Sequence, residues 1–215
     1  MHKTTNGGTS FLPGILGYET FCIFFLSPDL GWAVGRDGNI SKTTDNATWP
    51  AQISGTTEGF NDVFFIDTNT GWVPGQSKVL KTTDGGATWV AHSIENFCYP
   101  TSICFSNSNT GWIAIGQGTL KSTDGGNSWS LFTPEADRGN IIGTYQIRFV
   151  DNMNGMLIGT IENQPNFWFC YTNDGGNNWI SQPCSTIETI NHMNVIDMNI
   201  AYAVGSLGTI IKISK

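Results

Sequence analysis

Five copies of one short turn phrase recur along the chain: 4–11 (TTNGGTSF), 43–49 (TTDNATW), 82–89 (TTDGGATW), 122–129 (STDGGNSW) and 172–179 (TNDGGNNW). The third residue of each copy, Asn6, Asp45, Asp84, Asp124 or Asp174, follows the one before at spacings of 39, 39, 40 and 50 residues. A period near 40 belongs to a repeat architecture, in which one supersecondary unit cannot bury its apolar face alone and is multiplied until it can.

A second phrase recurs out of phase with the first, as GWAVG at 31–35, GWVPG at 71–75, GWIAIG at 111–116, GMLIG at 155–159 and AYAVG at 201–205. An apolar run precedes each, at 23–26, 63–66, 103–105, 147–150 and 195–196. Every unit thus holds four short apolar segments, separated by Gly, Asn, Asp and Thr. They are too short for ordinary helices and rich in Val, Ile, Phe, Trp and Thr, which makes them strands. In the second unit the spacing predicts strands over 62–66, 71–74, 78–83 and 87–92. Asp84-Gly85-Gly86 joins the last two as a tight turn, where Gly tolerates positive φ and the carboxylate accepts hydrogen bonds from nearby amides. The acidic residue reads as a turn fastener. Trp89, with Trp49, Trp129 and Trp179 at the same place, is expected to pack between neighbouring units.

Four antiparallel strands per unit, repeated radially, make a β-propeller. The turn phrase resembles the Asp-box, or BNR repeat, of sialidase-like propellers. The wider unit, with NTGW at 69–72 and 109–112 and KTTDGGATW at 81–89, most resembles the photosystem II stability/assembly-factor-like proteins of bacteria. The resemblance covers nearly the whole chain. Its photosynthetic members carry a basic, arginine-bearing patch, from which an acidic chain with three arginines departs, so what it implies is kinship and docking of a polypeptide rather than a photosystem role.

The expected fold is a single all-β domain over 1–215: a five-bladed propeller of four-stranded blades at about 14–55, 56–95, 96–134, 140–184 and 187–215 plus 1–13. The chain closes at 208–215 on what matches a third strand, and residues 6–13 are expected to supply the missing fourth and close the ring. The alternative is part of a larger propeller.

With 39% apolar and 12% aromatic residues there is ample material for a core. Ten Lys and Arg against 17 Asp and Glu give a formal charge of −7, unsuited to nucleic acid or anionic membranes. No signal peptide and no membrane-spanning apolar run is visible, although the Asn, Thr, Gly and Trp content suggests a secreted or cell-surface protein. The cysteines, Cys22, Cys98, Cys104, Cys170 and Cys184, lack metal-ligand spacing. Cys22 and Cys104 fall in first strands, as buried thiols would. Cys170 could bridge Cys184 across the Asp174 turn, and Cys98 with Cys184 is the other pairing.

Propeller ligands usually meet the rim opposite the fastened turns, where the two-to-three turns and the blade connectors open. There the chain offers Arg36, Glu58, Gln76, Tyr99, Gln117, Arg138, Tyr145, Glu162 and Trp168. Blade four is irregular, with a connector at 133–144 and a loop at 161–167, and departures from a repeat's norm are where binding tends to sit. A sialidase site needs three convergent arginines; Arg36, Arg138 and Arg148 are all there are, and YQIRFVD only loosely echoes the family's Phe/Tyr-Arg-Ile-Pro. Another glycosidase would need two carboxylates about 5 to 10 Å apart, with Glu58, Glu135, Asp137 and Glu162 as candidates. His2, His92 and His192 are scattered, and no nucleophile elbow or phosphate loop is present. The expectation is a non-catalytic module without cofactor or metal, docking a protein partner. A carbohydrate-binding version, with Tyr18, Tyr99, Tyr145 and Trp168 as stacking platforms and Gln76, Gln117 and Glu162 fixing hydroxyls, is the rival.

Overall fold

The repeats fold as antiparallel meanders. The computed structural model describes residues 2–4, 6–10, 12–13, 16–94, 99–136, 139–163, 167–184 and 190–214. The chain packs as two compact units, residues 1–76 with 80–91, and 77–79 with 92–215. In chain order come a hairpin of β1 (His2–Lys3) and β2 (Leu12–Pro13), then a first sheet of β3 (Thr20–Phe25), β4 (Gly31–Gly35), β5 (Ile40–Thr43) and β6 (Ala51–Gln52). The second sheet is β7 (Phe64–Phe65), β8 (Gly71–Pro74), β9 (Lys78–Thr82) and β10 (Val90–Ser93). The third is β11 (Ser102–Phe105), β12 (Gly111–Ala114), β13 (Thr119–Ser122) and β14 (Ser130–Phe132). A short β15 (Glu135–Ala136) joins β16 (Gly139–Phe149), β17 (Gly155–Ile161), β18 (Phe167–Thr172) and β19 (Ile180–Pro183) in the fourth, and β20 (Ile190–Asp197), β21 (Ile200–Gly205) and β22 (Ile210–Ser214) make the fifth. Among the described residues the only helices are single 3-10 turns at Arg36–Gly38 and Ser206–Gly208. Five successive meanders of this kind are the blades of a β-propeller, the fold the repeats predict.

Each GW phrase becomes the second strand of its blade. In β4, β8 and β12 every residue is buried, on both faces of the sheet, which is why these strands read as continuous apolar runs rather than alternating ones. The glycine that opens them has a steric cause. Gly71 lies opposite Phe65 and Gly111 opposite Phe105, and a Cβ on either glycine would come within 2.4 Å of the phenylalanine ring. Phe25 and Phe149 face Gly31 and Gly155 in the same way, whereas the fifth blade replaces the pair by Val195 and Ala201. There β21 alternates, with Ala201 and Ala203 buried and Tyr202 and Val204 exposed.

Two tryptophan positions divide the packing between them, and the division corrects the sequence reading. The residue of the turn phrase packs inside its own blade, edge-on to the phenylalanine of the first strand: Phe25 with Trp49, Phe65 with Trp89, Phe105 with Trp129 and Phe149 with Trp179, at 5.7 to 6.1 Å between ring centroids and 79 to 86° between planes. The GW tryptophan makes the contact between blades. Within the first unit Trp32 lies flat on Phe65, and within the second Trp112 stacks on Phe149.

In the second blade the first strand is shorter than predicted, β7 covering only Phe64–Phe65, and the fourth starts at Val90 because the turn holds the residues up to Trp89. The expected pairing of residues 6–13 with the last strand is not seen among the described residues. Leu12–Pro13 pairs with His2–Lys3, and among the described residues β22 is paired on one side only, by β21. The turn at 4–10 ties its own flanks together, so a local hairpin forms with minimal loop-closure entropy. Cys170 and Cys184 are both buried as reduced thiols. Cys170 faces Ser181 across the β18–β19 ladder, three residues short of Cys184; the other pairing, through Cys98, lies outside the described residues.

Candidate functional site

In each of the first four blades the fastened turn joins strands three and four. Asp84 Oδ1 accepts hydrogen bonds from Thr82 Oγ1 and Thr88 N at 2.8 Å, and Oδ2 accepts from Thr88 Oγ1 at 2.6 Å. Thr82 Oγ1 in turn accepts from Gly86 N at 2.8 Å. Ser122, Asp124 and Ser128 repeat the pattern, as do Thr172, Asp174 and Asn178. In the first blade Asn46, at φ 52°, stands in for a glycine, and Asp45 gathers the amides of Ala47 and Thr48. Asn6 does the same work with an amide, accepting from Ser10 N and donating to Ser10 Oγ. Donors on each carboxylate favour its charged form. The Thr88 and Ser128 side chains hold Asp84 and Asp124 at a pKa of about 2, and the Asn178 amide holds Asp174 there too. These carboxylates are spent within their own turns.

A second set of fasteners closes the turn between strands one and two. Asp67 Oδ1 accepts from the amides of Asn69 and Thr70, Asn107 from Asn109 and Thr110, Asp151 from Met153 and Asn154, and Asp197 from Asn199 and Ile200. The two turns of a blade are then joined, since Gly85 N donates to Asn69 O at 2.7 Å, Gly125 N to Asn109 O at 2.8 Å and Gly175 N to Met153 O at 2.9 Å. Sequence reading missed this set, whose signal is the Asp or Asn four residues ahead of Gly71, Gly111, Gly155 and Ala201, at the start of the second strands. Because the strands are antiparallel, the turns between strands two and three open at the other end.

At that end of the first unit Arg36 pairs with Glu19 at 2.8 Å, both side chains more than half exposed, an arrangement worth about 0–1 kcal/mol. The Arg36 amide donates to Glu19 O and the Phe60 amide to Gly35 O, so the turn is pinned from both connectors. Tyr18, half-buried, donates from its hydroxyl to Ala33 O, and burial pushes its pKa up. Glu58 is half-buried, with its amide donating to Thr56 Oγ1, and Gln76 is exposed beyond β8.

The second unit brings more of the predicted residues together. Gln117 is exposed at the tip of the β12–β13 turn, and Gly116 N donates to Thr144 O at 2.9 Å, beside Tyr145. Thr101 Oγ1 donates to Tyr145 O at 2.7 Å, and Tyr99, two residues earlier, is 70% exposed. The Tyr145 ring stands edge-on to Phe167 at 5.1 Å. Glu162 is exposed and accepts from Asn140 Nδ2. Trp168 is different. It is 7% exposed, held in the sheet opposite Gly159 and Pro183, and packs rather than presents a platform. Arg148 donates through Nη1 to Ser102 Oγ and to the carbonyls of Ile103 and Ile147, tying the inner strands of the third and fourth blades together. Arg138 and Asp137 lie outside the described residues. Among the described residues no group of three or more His, Cys, Asp or Glu side chains is placed to hold a metal, and no helix is long and apolar enough to cross a membrane.

Blades fastened by Asp-box turns, with glycine-tryptophan second strands between them, define an Asp-box β-propeller. Residues 41–137 match the family described as Photosynthesis system II assembly factor YCF48. No curated protein sequence matches the chain. Among solved structures it is similar to YCF48 from Cyanidioschyzon merolae, at 17% identity and a TM-score of 0.68 over 99% of this chain and 76% of that one. It is also similar to the GH74 xyloglucanase from Xanthomonas campestris, at 13% identity and a TM-score of 0.65 over 91% of this chain and 36% of that one. The WD40 propeller domain of Doa1 follows at 12% identity, 0.62, 92% and 65%. At these identities the likeness shows the fold alone.

Proposed function

We propose that this chain is a non-catalytic binding and assembly module that docks a polypeptide on the rim opposite its Asp-box turns. The reading is carried by the match of residues 41–137 to a family of assembly factors. What a polypeptide needs is available within the second unit, at the blade ends opposite its Asp-box turns: an exposed aromatic at Tyr99, an amide at Gln117 able to donate and accept, the half-buried Tyr145 and the carboxylate of Glu162. Such a surface is polar with a few aromatic anchors, the composition of a transient protein interface. A sugar platform has less support, because the tryptophan that would serve it, Trp168, is in the core. A secreted or surface location belongs to the same proposal and rests on composition.

Site-specific photocrosslinking tests the reading. A benzophenone side chain at position 117 or 99 is expected to capture a polypeptide from the native host's extract, and one at position 127, on the Asp-box side, is not. Crosslinking at 127 alone, or glycan binding without any crosslinked protein, would sink it.

A further inference from the structure

The contact between consecutive blades is built alike along the repeat. In the first unit Trp32, Val34 and Ile40 of the first blade pack against Phe60, Val63 and Phe65 of the second. Lys42, opposite Trp32, stands beside the second blade's Asp-box turn, where a Cβ on Gly85 would fall 2.8 Å from its Nζ. In the second unit Trp112, opposite Lys121, lies in the same way on Phe149 and against Gly176 of the fourth blade's turn.

In the fifth blade the same face is exposed. Strand pairing sets Tyr202 opposite Lys212 and Val204 opposite Ile210, the register of Trp32 with Lys42 and of Val34 with Ile40. Trp32, Val34 and Ile40 are sealed from solvent, whereas Tyr202 is 43%, Val204 44% and Ile210 74% exposed. The other face of this sheet is covered: Met193, Ala201, Ala203 and Ile213 are buried in one cluster with Met156, Ile158 and Phe169 of the fourth blade. A contiguous exposed apolar patch of this kind marks an interaction surface.

The first blade presents the counterpart. Phe25 faces Gly31 as Phe65 faces Gly71, but Phe65 is sealed beneath Trp32, whereas Phe25, edge-on to its own Trp49, is 42% exposed. Asp45 stands in the Asp-box turn of that blade as Asp84 does in the second. We propose that these two surfaces meet between copies of the chain, the Tyr202 face of one against the Phe25 face of the next, so that the blade-to-blade contact continues from one molecule into another. Tyr202 lies on Phe25 as Trp32 lies on Phe65, its hydroxyl taking the place of the indole N–H that donates to Gly85 O. Lys212 meets the turn that carries the Asp45 carboxylate, a local match of opposite charge between chains that each carry −7. The two patches differ, so the contact is heterologous and extends head to tail until a ring closes. It is separate from the blade ends proposed for polypeptide docking.

Sedimentation velocity of the whole chain at about 1 to 100 µM tests this, a span that resolves micromolar dissociation constants. A mass of two or more chains, rising with concentration, is expected. Tyr202→Glu and Lys212→Glu, both at exposed positions, should each weaken association about tenfold while the amide NMR spectrum keeps its folded pattern, and Phe25→Thr should do the same. Tyr202→Glu mixed with Phe25→Thr should form one-to-one pairs with the affinity of the parent, because each supplies the half that the other lacks. A single-chain mass throughout overturns the proposal, whether the face is closed within one chain or covered by another protein. So does parent-like association of a folded Tyr202→Glu protein, or a folded pair of variants that stays apart when mixed. Substitutions at Tyr99 or Gln117 should leave the mass unaltered, which keeps this test apart from that of the docking rim.

Discussion

Trp32 lies flat on Phe65, ring centroids 3.5 Å apart and planes 10° from parallel, while its Nε1 donates to Gly85 O at 3.2 Å. A tryptophan of one blade therefore reads two features of the next: the first-strand phenylalanine and the Asp-box backbone. Both rings are essentially without solvent contact, so burial dominates the energetics. Trp32→Ala removes a large side chain from a site hemmed by two sheets that cannot collapse freely, and should cost about 3–5 kcal/mol. Trp49→Ala, at a half-buried position packed within one blade, should cost distinctly less. Urea unfolding of the two variants checks the order, and equal losses would contradict the division of labour between the two tryptophans.

That division also marks how much of the fold the sequence displays. Turn residues announce themselves, because Asp, Gly and Thr at fixed offsets have few other uses, and the five repeats follow from them. Trp32 and Trp49 look alike in the sequence, both apolar and both next to a turn phrase, and only the pairing of strands separates a residue that faces the next blade from one that folds back on its own. The Phe–Gly pairs, such as Phe65 with Gly71, were visible as a recurring GW after an apolar run, but their cause, a ring lying over the missing Cβ, is a property of register. At the candidate rim Gln117 lies in the β12–β13 turn, as the sequence suggests, whereas Tyr145, expected in a connector, falls within the long strand β16, because nothing in the sequence marks how far that strand extends. The sequence misjudged Trp168, because an aromatic beside an irregular loop carries no sign of which face of the strand it occupies.

The Asp-box carboxylates tie stability to pH. Asp84, Asp124 and Asp174 titrate near 2 in the folded protein against about 3.9 in an unfolded chain. A depressed folded pKa means that the unfolded state binds protons first as the solution is acidified. The contribution is therefore complete above about pH 4 and is lost as pH falls through about 2. The thermal midpoint should drop steeply across that interval. Asp124→Asn should fold, since Asn6 closes the same turn with an amide, and should show a shallower drop than the parent. A midpoint that does not move between pH 4 and 2 would remove the fasteners from any share in stability.

Gly38 sits at φ 73° in the turn that carries Arg36, and a Cβ there would lie 2.0 Å from Thr56 O. The left-handed conformation alone costs an L-residue about 1–2 kcal/mol, and the carbonyl it would strike belongs to backbone that cannot swing away as a side chain can. Gly38→Ala should destabilise by at least that amount. It should also shift the amide resonances of residues 56–60 in the connector. Gly55→Ala is the control, with φ 72° but nothing within 4 Å of the added carbon; it should cost only the conformational part. Equal losses in the two variants would mean that the close approach to Thr56 does not matter.

Cys170 and Cys184 both sit buried as reduced thiols near the outer edge of the fourth blade. The β18–β19 ladder fixes Cys170 opposite Ser181, and Cys184 instead lies beyond β19, its amide donating to Phe167 O at 3.0 Å. A disulfide needs Cα atoms within about 4.4–6.8 Å of one another and Cβ vectors that converge; a three-residue offset along a strand, at about 3.3 Å per residue, takes the pair well outside that range. Protein purified without reductant should therefore leave both thiols open to alkylation once denatured, and a reducing agent should leave the unfolding midpoint where it was. Protection of the two from alkylation in denaturant, released only by reduction, would show that the ladder is set in a different register.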